Sequence, residues 1–187
     1  MFPPAARVAA GGTALGSLHP LRAFTGRAGE DWRGAFVAVE GDPAAETEGE
    51  AIARALDARP HRLREASKPL YHAAATLAAG GNIALLSVAA RALAEAGIPE
   101  EAGRPALALL AATALAPLLE GGFEETLTGP VARRDAGTVR ANLSAIGDRA
   151  EMRELYALLG LETLRRTPGR GREGDIRSLL ERAGRPP

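Results

Sequence analysis

The only lysine of the 187-residue chain, Lys68, stands four positions before His72 in the segment Ser67-Lys68-Pro69-Leu70-Tyr71-His72. An offset of four puts two side chains on one face of a helix, within reach of a common ligand. Arginine supplies the other positive charges and stays protonated, whereas lysine and histidine can be tuned toward proton transfer. The pair is therefore the first candidate for chemistry. The plainer reading is an ordinary first-turn lysine beside a packed histidine.

Little else in the composition offers chemistry. There are no cysteines, which removes disulfides, thiolate metal sites and a cysteine nucleophile together. Three scattered histidines lack acidic companions at ligand spacing, so no metal site is expected. Net charge is zero, which gives no electrostatic footprint for nucleic acid or an anionic membrane. Met1-Phe2-Pro3-Pro4 has no basic region followed by an apolar core, so no signal peptide is expected. The apolar stretch Leu107 to Leu119 reads as too short for a bilayer and is interrupted by Pro117. These readings give a cytoplasmic protein without a membrane or nucleic-acid partner. The abundance of Ala, Gly, Pro and Arg is what a GC-rich genome produces.

Two textures follow each other along the chain. Residues 1 to 64 alternate short apolar runs with Gly and Pro. Ala14–Leu18 and Ala35–Val39 read as strands, and His61–Leu63 as one more. Between them Pro43 to Arg59 reads as a helix, with Asp42 as N-cap, Pro43 first and Glu46 completing a capping box. Strand, helix and strand at this spacing form one βαβ unit. From Ser67 the helical period takes over and runs to Ala96, where Gly97 stops it. Gly80 and Gly81 inside that run predict a bend or a close helix contact, since each costs on the order of 1 kcal/mol relative to alanine. Pro105 opens a further helix toward Glu120, kinked or ended early by Pro117. Its residues Leu107, Leu110, Ala111, Ala114 and Leu118 can pack on Ile83, Leu86 and Ala90, a surface suited to a compact bundle or a dimer. Asp135 caps a helix through Ile146, and another runs from Asp148 to Leu159, ended by Gly160. Residues 65–166 thus form a helical domain, and 167–187 a Pro/Gly/Arg-rich tail with a short terminal helix. The fold class is mostly α, α+β overall.

Gly169-Arg170-Gly171-Arg172-Glu173-Gly174 satisfies the dinucleotide pattern G-x-G-x-x-G in the wrong context. No buried strand precedes it, and the chain ends before the acidic residue that a ribose needs. It reads as a basic linker.

Three segments together resemble one family: Gly16-Ser17-Leu18-His19-Pro20-Leu21 with the later Glu40-Gly41-Asp42-Pro43, then Lys68 to Ala75, then Leu127 to Val139. In order and spacing they are similar to uncharacterised bacterial Rossmann-like proteins with a helical C-terminal domain of unknown function. These are described as NADP-dependent oxidoreductases related to pyrroline-carboxylate reductase, ketopantoate reductase and the 6-phosphogluconate dehydrogenase group. The resemblance implies a Rossmann-like βαβ remnant followed by an all-α domain of the 6-phosphogluconate dehydrogenase C-terminal type, dimerising through its helices. It implies NADP or NAD as cofactor and a small carbonyl or imine substrate. In that setting Lys68 and His72 are the candidate proton donor and its neighbour. His19 is a candidate substrate-binding residue, or else a turn residue bonded to backbone. Thr128, Gly129 and Arg133 are candidates for holding a substrate carboxylate at a helix entry, or else a cap and a surface arginine.

The sequence departs from the family's pattern at two places. The glycine-rich fingerprint that would precede the His-Pro segment is absent, so the chain reads as truncated and is expected to retain no tight NADP(H) site of its own. Ala79 and Gly80 stand where a Ser-Asn pair is usual; Asn82, about 40° from Lys68 around a regular helix, lies roughly 21 Å along it. Arg134 replaces a usual glycine and receives no role. The alternative function is a non-catalytic helical dimerisation or partner-binding module.

Overall fold

The computed structural model describes residues 13–24, 26, 31–64, 67–168 and 174–184. The Met1–Pro4 segment and the G-x-G-x-x-G pattern, apart from Gly174, lie outside them. The chain divides into two compact units, Met1–Leu85 and Leu86–Pro187.

The first unit is built on a three-stranded sheet, β1 (Gly16–Pro20), β2 (Phe36–Gly41) and β3 (Arg59–Arg62), in that order. β1 runs antiparallel to β2, and β3 runs parallel to it. The parallel pair is joined by α1 (Pro43–Ala55), so the βαβ unit is present as expected. The first strand lies two residues later than its apolar run suggested, because the ladder extends through His19 and Pro20.

Alternation along the strands sorts the sheet into two faces. Val37 and Val39 point to one, where they form a core with Ala53, Ala58, Leu18 and Trp32. α1 approaches that face closely: a Cβ on Gly49 would stand 3.0 Å from Val39 Cγ1. Phe36, Ala38 and Glu40 alternate onto the other face. The register sets Ser17 beside Glu40 and lines up His19, Ala38 and His61 in one row. Asp42 does not cap α1 with its side chain, contrary to the expected capping box. Its Oδ2 accepts from Leu15 N at 2.9 Å and its own N–H donates to Leu15 O at 2.8 Å, stitching the strand entry to the helix start.

α2 (Lys68–Glu95) begins in the first unit and contains one π-helical turn, Leu77–Gly81, where the two glycines predicted a bend. The extra residue of such a turn shifts the helix phase by about 100°. Asn82 therefore leaves the face that a regular helix would have shared with Lys68.

In the second unit, α3 (Glu100–Leu115) starts a full turn before Pro105, with Pro99 as N-cap and Glu100 and Glu101 favouring the positive end. Pro117 converts its end to a 3₁₀ turn, Ala116–Leu119. Gly103 is buried against Leu93 and Ile98 where the chain folds back. Two short helices, α4 (Phe123–Thr126) and α5 (Gly129–Ala132), lead to α6 (Ala136–Ile146). Asp135 caps α6, accepting from Thr138 N at 3.0 Å. α7 (Ala150–Arg166) runs straight through Gly160 instead of ending there, and α8 (Gly174–Ala183) closes the unit. Gly160 serves close approach, since a Cβ there would lie 2.8 Å from Leu180 Cδ2. The core joins Val139 and Leu143 of α6, Ala157 and Leu164 of α7, and Ile176 and Leu180 of α8. The terminal helix is thus a core element rather than an appendage.

Arg134 also has a structural part that its sequence position hid. Its φ is 60°, a conformation natural to glycine, and its guanidinium donates to Val131 O, Ala132 O and both oxygens of buried Thr167. It fastens the end of α7 to the turn after α5.

Leu110 and Ile83, read from sequence as packing residues, are 64% and 71% exposed. Leu70, Leu77, Leu109 and Leu119 are exposed as well. By length and composition alone, Lys68–Glu95 and Glu100–Leu119 could each cross a membrane. The stretch weighed against a bilayer from sequence, Leu107 to Leu119, is only part of the second of these helices, and the first, read from Ser67 to Ala96, was not weighed.

Candidate functional site

The polar face of the small sheet and the first two turns of α2 meet at one cluster. Lys68 Nζ donates to Ser17 Oγ at 2.9 Å and, more closely, to Glu40 Oε1. Ser17 Oγ donates to the same carboxylate oxygen at 3.1 Å. One turn of helix later, Tyr71 OH donates to the backbone carbonyl of His19 at 3.0 Å and lies 3.2 Å from His19 Nδ1. The His19 and His72 rings are 4.8 Å apart, tilted by 52°. Phe36 stacks on His61 at 4.4 Å and approaches Tyr71 at 6.4 Å, forming an aromatic floor.

The structure therefore brings together three of the candidates, Lys68, His72 and His19. It adds Ser17, Glu40 and Tyr71, which sequence reasoning did not single out. Ser17 and Glu40 stood inside the quoted motifs, and their strand parity was the available signal. Thr128, Gly129 and Arg133 belong to the second unit. There Gly129 has a φ of 90° and Pro130 opens α5 as expected, but Thr128 makes no side-chain cap bond and α5 has only four residues. So short a helix has little dipole to offer an anion. Arg133 is exposed and adds its charge to the field at Asp135.

Electrostatics separates the two histidine-side and carboxylate-side groups. Partial burial holds the His19 imidazole below its ordinary range, helped by the neighbouring His72 and Lys68 charges and opposed by a hydrogen bond to its own backbone. Burial works to raise the Glu40 carboxyl, but hydrogen bonds from Lys68 and Ser17, with the Lys68 charge, outweigh it and bring it below the carboxylate range. Burial raises the Tyr71 phenol. At neutral pH the site thus holds a neutral imidazole beside an ionised, cation-paired carboxylate.

Both lowered groups make acid destabilising. The unfolded chain protonates His19 at about pH 6.5, before the folded chain does, so stability is complete above that pH and declines as pH falls through the folded value. Glu40 adds a second loss on further acidification. The urea midpoint followed by Trp32 fluorescence is expected to fall between about pH 8 and pH 5, and to fall less in His19→Asn. Identical pH profiles for the two proteins would contradict this assignment.

A nicotinamide dinucleotide requires a pyrophosphate cradle at a strand-to-helix turn. The turn at Glu40–Pro43 does not fit one. Leu15 O occupies the space above Gly41, 2.3 Å from where a Cβ would stand, and the Asp42 and Glu46 carboxylates flank the helix start. Among the described residues no group of His, Cys, Asp and Glu could hold a metal ion. Grooves of about 540 and 710 Å³ lie in the second unit, along Arg153–Glu154 and along Leu158–Leu161.

The fold is similar to two solved structures. A Bacteroides fragilis protein, provisionally designated an NADP oxidoreductase, superposes with a TM-score of 0.63 at 20% identity, covering 82% of this chain and 58% of its own. A Thermotoga maritima protein superposes with a TM-score of 0.61 at 23% identity, covering 90% and 61%. The chain therefore spans about three fifths of the length of the structures it matches. Among functionally curated proteins none matches. The likeness shows the fold, a partial Rossmann-like βαβ unit followed by a helical domain. With residues 35–163 matching it, most of the chain, the protein belongs to the family described as domain of unknown function DUF2520.

Proposed function

We propose that this chain is the substrate-facing portion of an NAD(P)-dependent oxidoreductase acting on a small carbonyl or imine compound. The observation that carries the reading is the convergence of Lys68, His72 and His19 on one sheet face, with Ser17 and Glu40 orienting the lysine. Lys68 supplies positive charge toward the substrate's oxygen or nitrogen, His72 stands at the exposed edge, and His19 holds the polar end. The fold likeness to the Bacteroides fragilis protein supports a nicotinamide cofactor for the whole protein. Because Glu40–Pro43 does not fit its pyrophosphate, no step is assigned to the cofactor here.

Three histidines make the site directly observable. Titrating the full chain with 2-oxo acids and cyclic imines should shift the ring resonances of His19 and His72 saturably, leaving His61 nearly still. Lys68→Met should weaken that response at least about tenfold, the loss of one charged hydrogen bond. Absence of any response to the whole set at tens of millimolar would overturn the reading.

The uncovered helices add a partner. The exposed faces carrying Leu70, Leu77, Ile83, Leu109, Leu110 and Leu119 are too apolar to remain in water. We assign them to a second copy of the chain, since alanine and glycine between the leucines allow close helix approach. Lys68 and Tyr71 at the head of α2 are tied to a polar sheet face, which leaves the later turns of the helix to that second copy. The same faces favour the second reading, a helical assembly module without catalysis. Light scattering at tens of micromolar should give twice the chain mass; a monomer, or recovery of the protein only with liposomes, would contradict the assignment.

A further inference from the structure

We infer that Tyr71 is a positioning residue that fixes His19 in the Nδ1–H tautomer, making Nε2 the hydrogen-bond acceptor of the site. The ligand then presents an O–H or N–H donor: an alcohol, or a protonated imine or amine. This rests on the proposal that the cluster binds a ligand, and it specifies what that ligand must carry.

The phenol has one proton, and two groups compete for it: the His19 carbonyl at 3.0 Å and His19 Nδ1 at 3.2 Å. The carbonyl has no proton to give, so its contact exists only if the phenol donates to it. The imidazole can choose, and it satisfies the phenol oxygen by donating from Nδ1. Nε2 is left with its lone pair and has no hydrogen-bond partner among the described residues. The groups facing the ring are consistent with this. α2 presents Lys68, Tyr71 and His72; β2 presents uncharged Ala38 opposite and Glu40 diagonally; His61 of β3 lies across Ala38 in the same row. Glu40, the one carboxylate there among the described residues, is engaged by Lys68 and Ser17 and does not compete for an imidazole proton.

The test is a long-range proton–nitrogen spectrum of the full chain labelled at histidine nitrogen, taken at about pH 8, where imidazole is neutral. His19 should show a protonated Nδ1 and an unprotonated Nε2. Tyr71→Phe should lose that signature and move toward the Nε2–H form, with His61 unchanged. An Nε2–H tautomer in the wild-type spectrum overturns the inference without need of the variant. Lactate, which carries a hydroxyl donor, should then shift the His19 Nε2 signal, and pyruvate, which carries none, should shift it several-fold less. Equal shifts overturn the donor requirement. A response to none of lactate, pyruvate and the cyclic imines overturns the ligand site itself, whatever the tautomer.

Discussion

Leu180→Ala is expected to lower the stability of the second unit by about 2–5 kcal/mol, the range for deleting a fully buried leucine whose cavity cannot collapse. Leu180 has no exposed surface and lies over Gly160, so closely that the glycine has no room for a Cβ. It also joins α8 to a core shared with Val139, Leu143 and Leu164. Collapse is restricted because the helix backbone of α7 already forms the floor of the contact. The measurement is urea unfolding followed by far-UV circular dichroism, which reports the helices. A midpoint unmoved by more than a few tenths of a kcal/mol would show that the terminal helix does not belong to the core.

Gly41→Ala should damage the first unit by a different route. The residue has a φ of 150°, and a Cβ would stand 2.3 Å from Leu15 O and 2.6 Å from Gly16 Cα. Both neighbours are backbone, so neither can rotate away. Relief requires separating β1 from β2 at the point where Asp42 stitches them. Overpacking and backbone strain together give a loss of roughly 2–4 kcal/mol. Trp32, the single tryptophan, packs on the core of this unit and should report the change by fluorescence. A wild-type midpoint would mean that the strand pair opens at no cost. Because Glu40 precedes Gly41, the variant should also loosen the Lys68 contact.

The parts of this molecule that could be read from sequence are those governed by neighbours a few residues apart. The apolar run Ala35–Val39 marked a strand, and Asp135 announced the start of α6 because a cap acts over three residues. Offset four placed Lys68 and His72 at the head of α2. Gly160 was misread for the complementary reason: helix termination and close approach both select glycine, and only the position of Leu180, twenty residues on, tells them apart. Tyr71, Glu40 and Ser17 could not be assigned because their meaning lies in pairings 52, 28 and 51 residues long. Register and strand parity decide such pairings, and a one-residue slip would have sent Glu40 to the opposite face. The apolar faces of α2 and α3 were read as suited to a compact bundle or a dimer, since a period of 3.6 reports an apolar face without saying what covers it.

The sole ε-amine of the chain is the one held between Ser17 and Glu40. Amine-directed acylation therefore addresses a single side chain besides the α-amine of Met1, and the adduct located on the Lys68 peptide becomes a clock for how often its ion pair opens. The site carries its own reporter, readable without knowing the substrate.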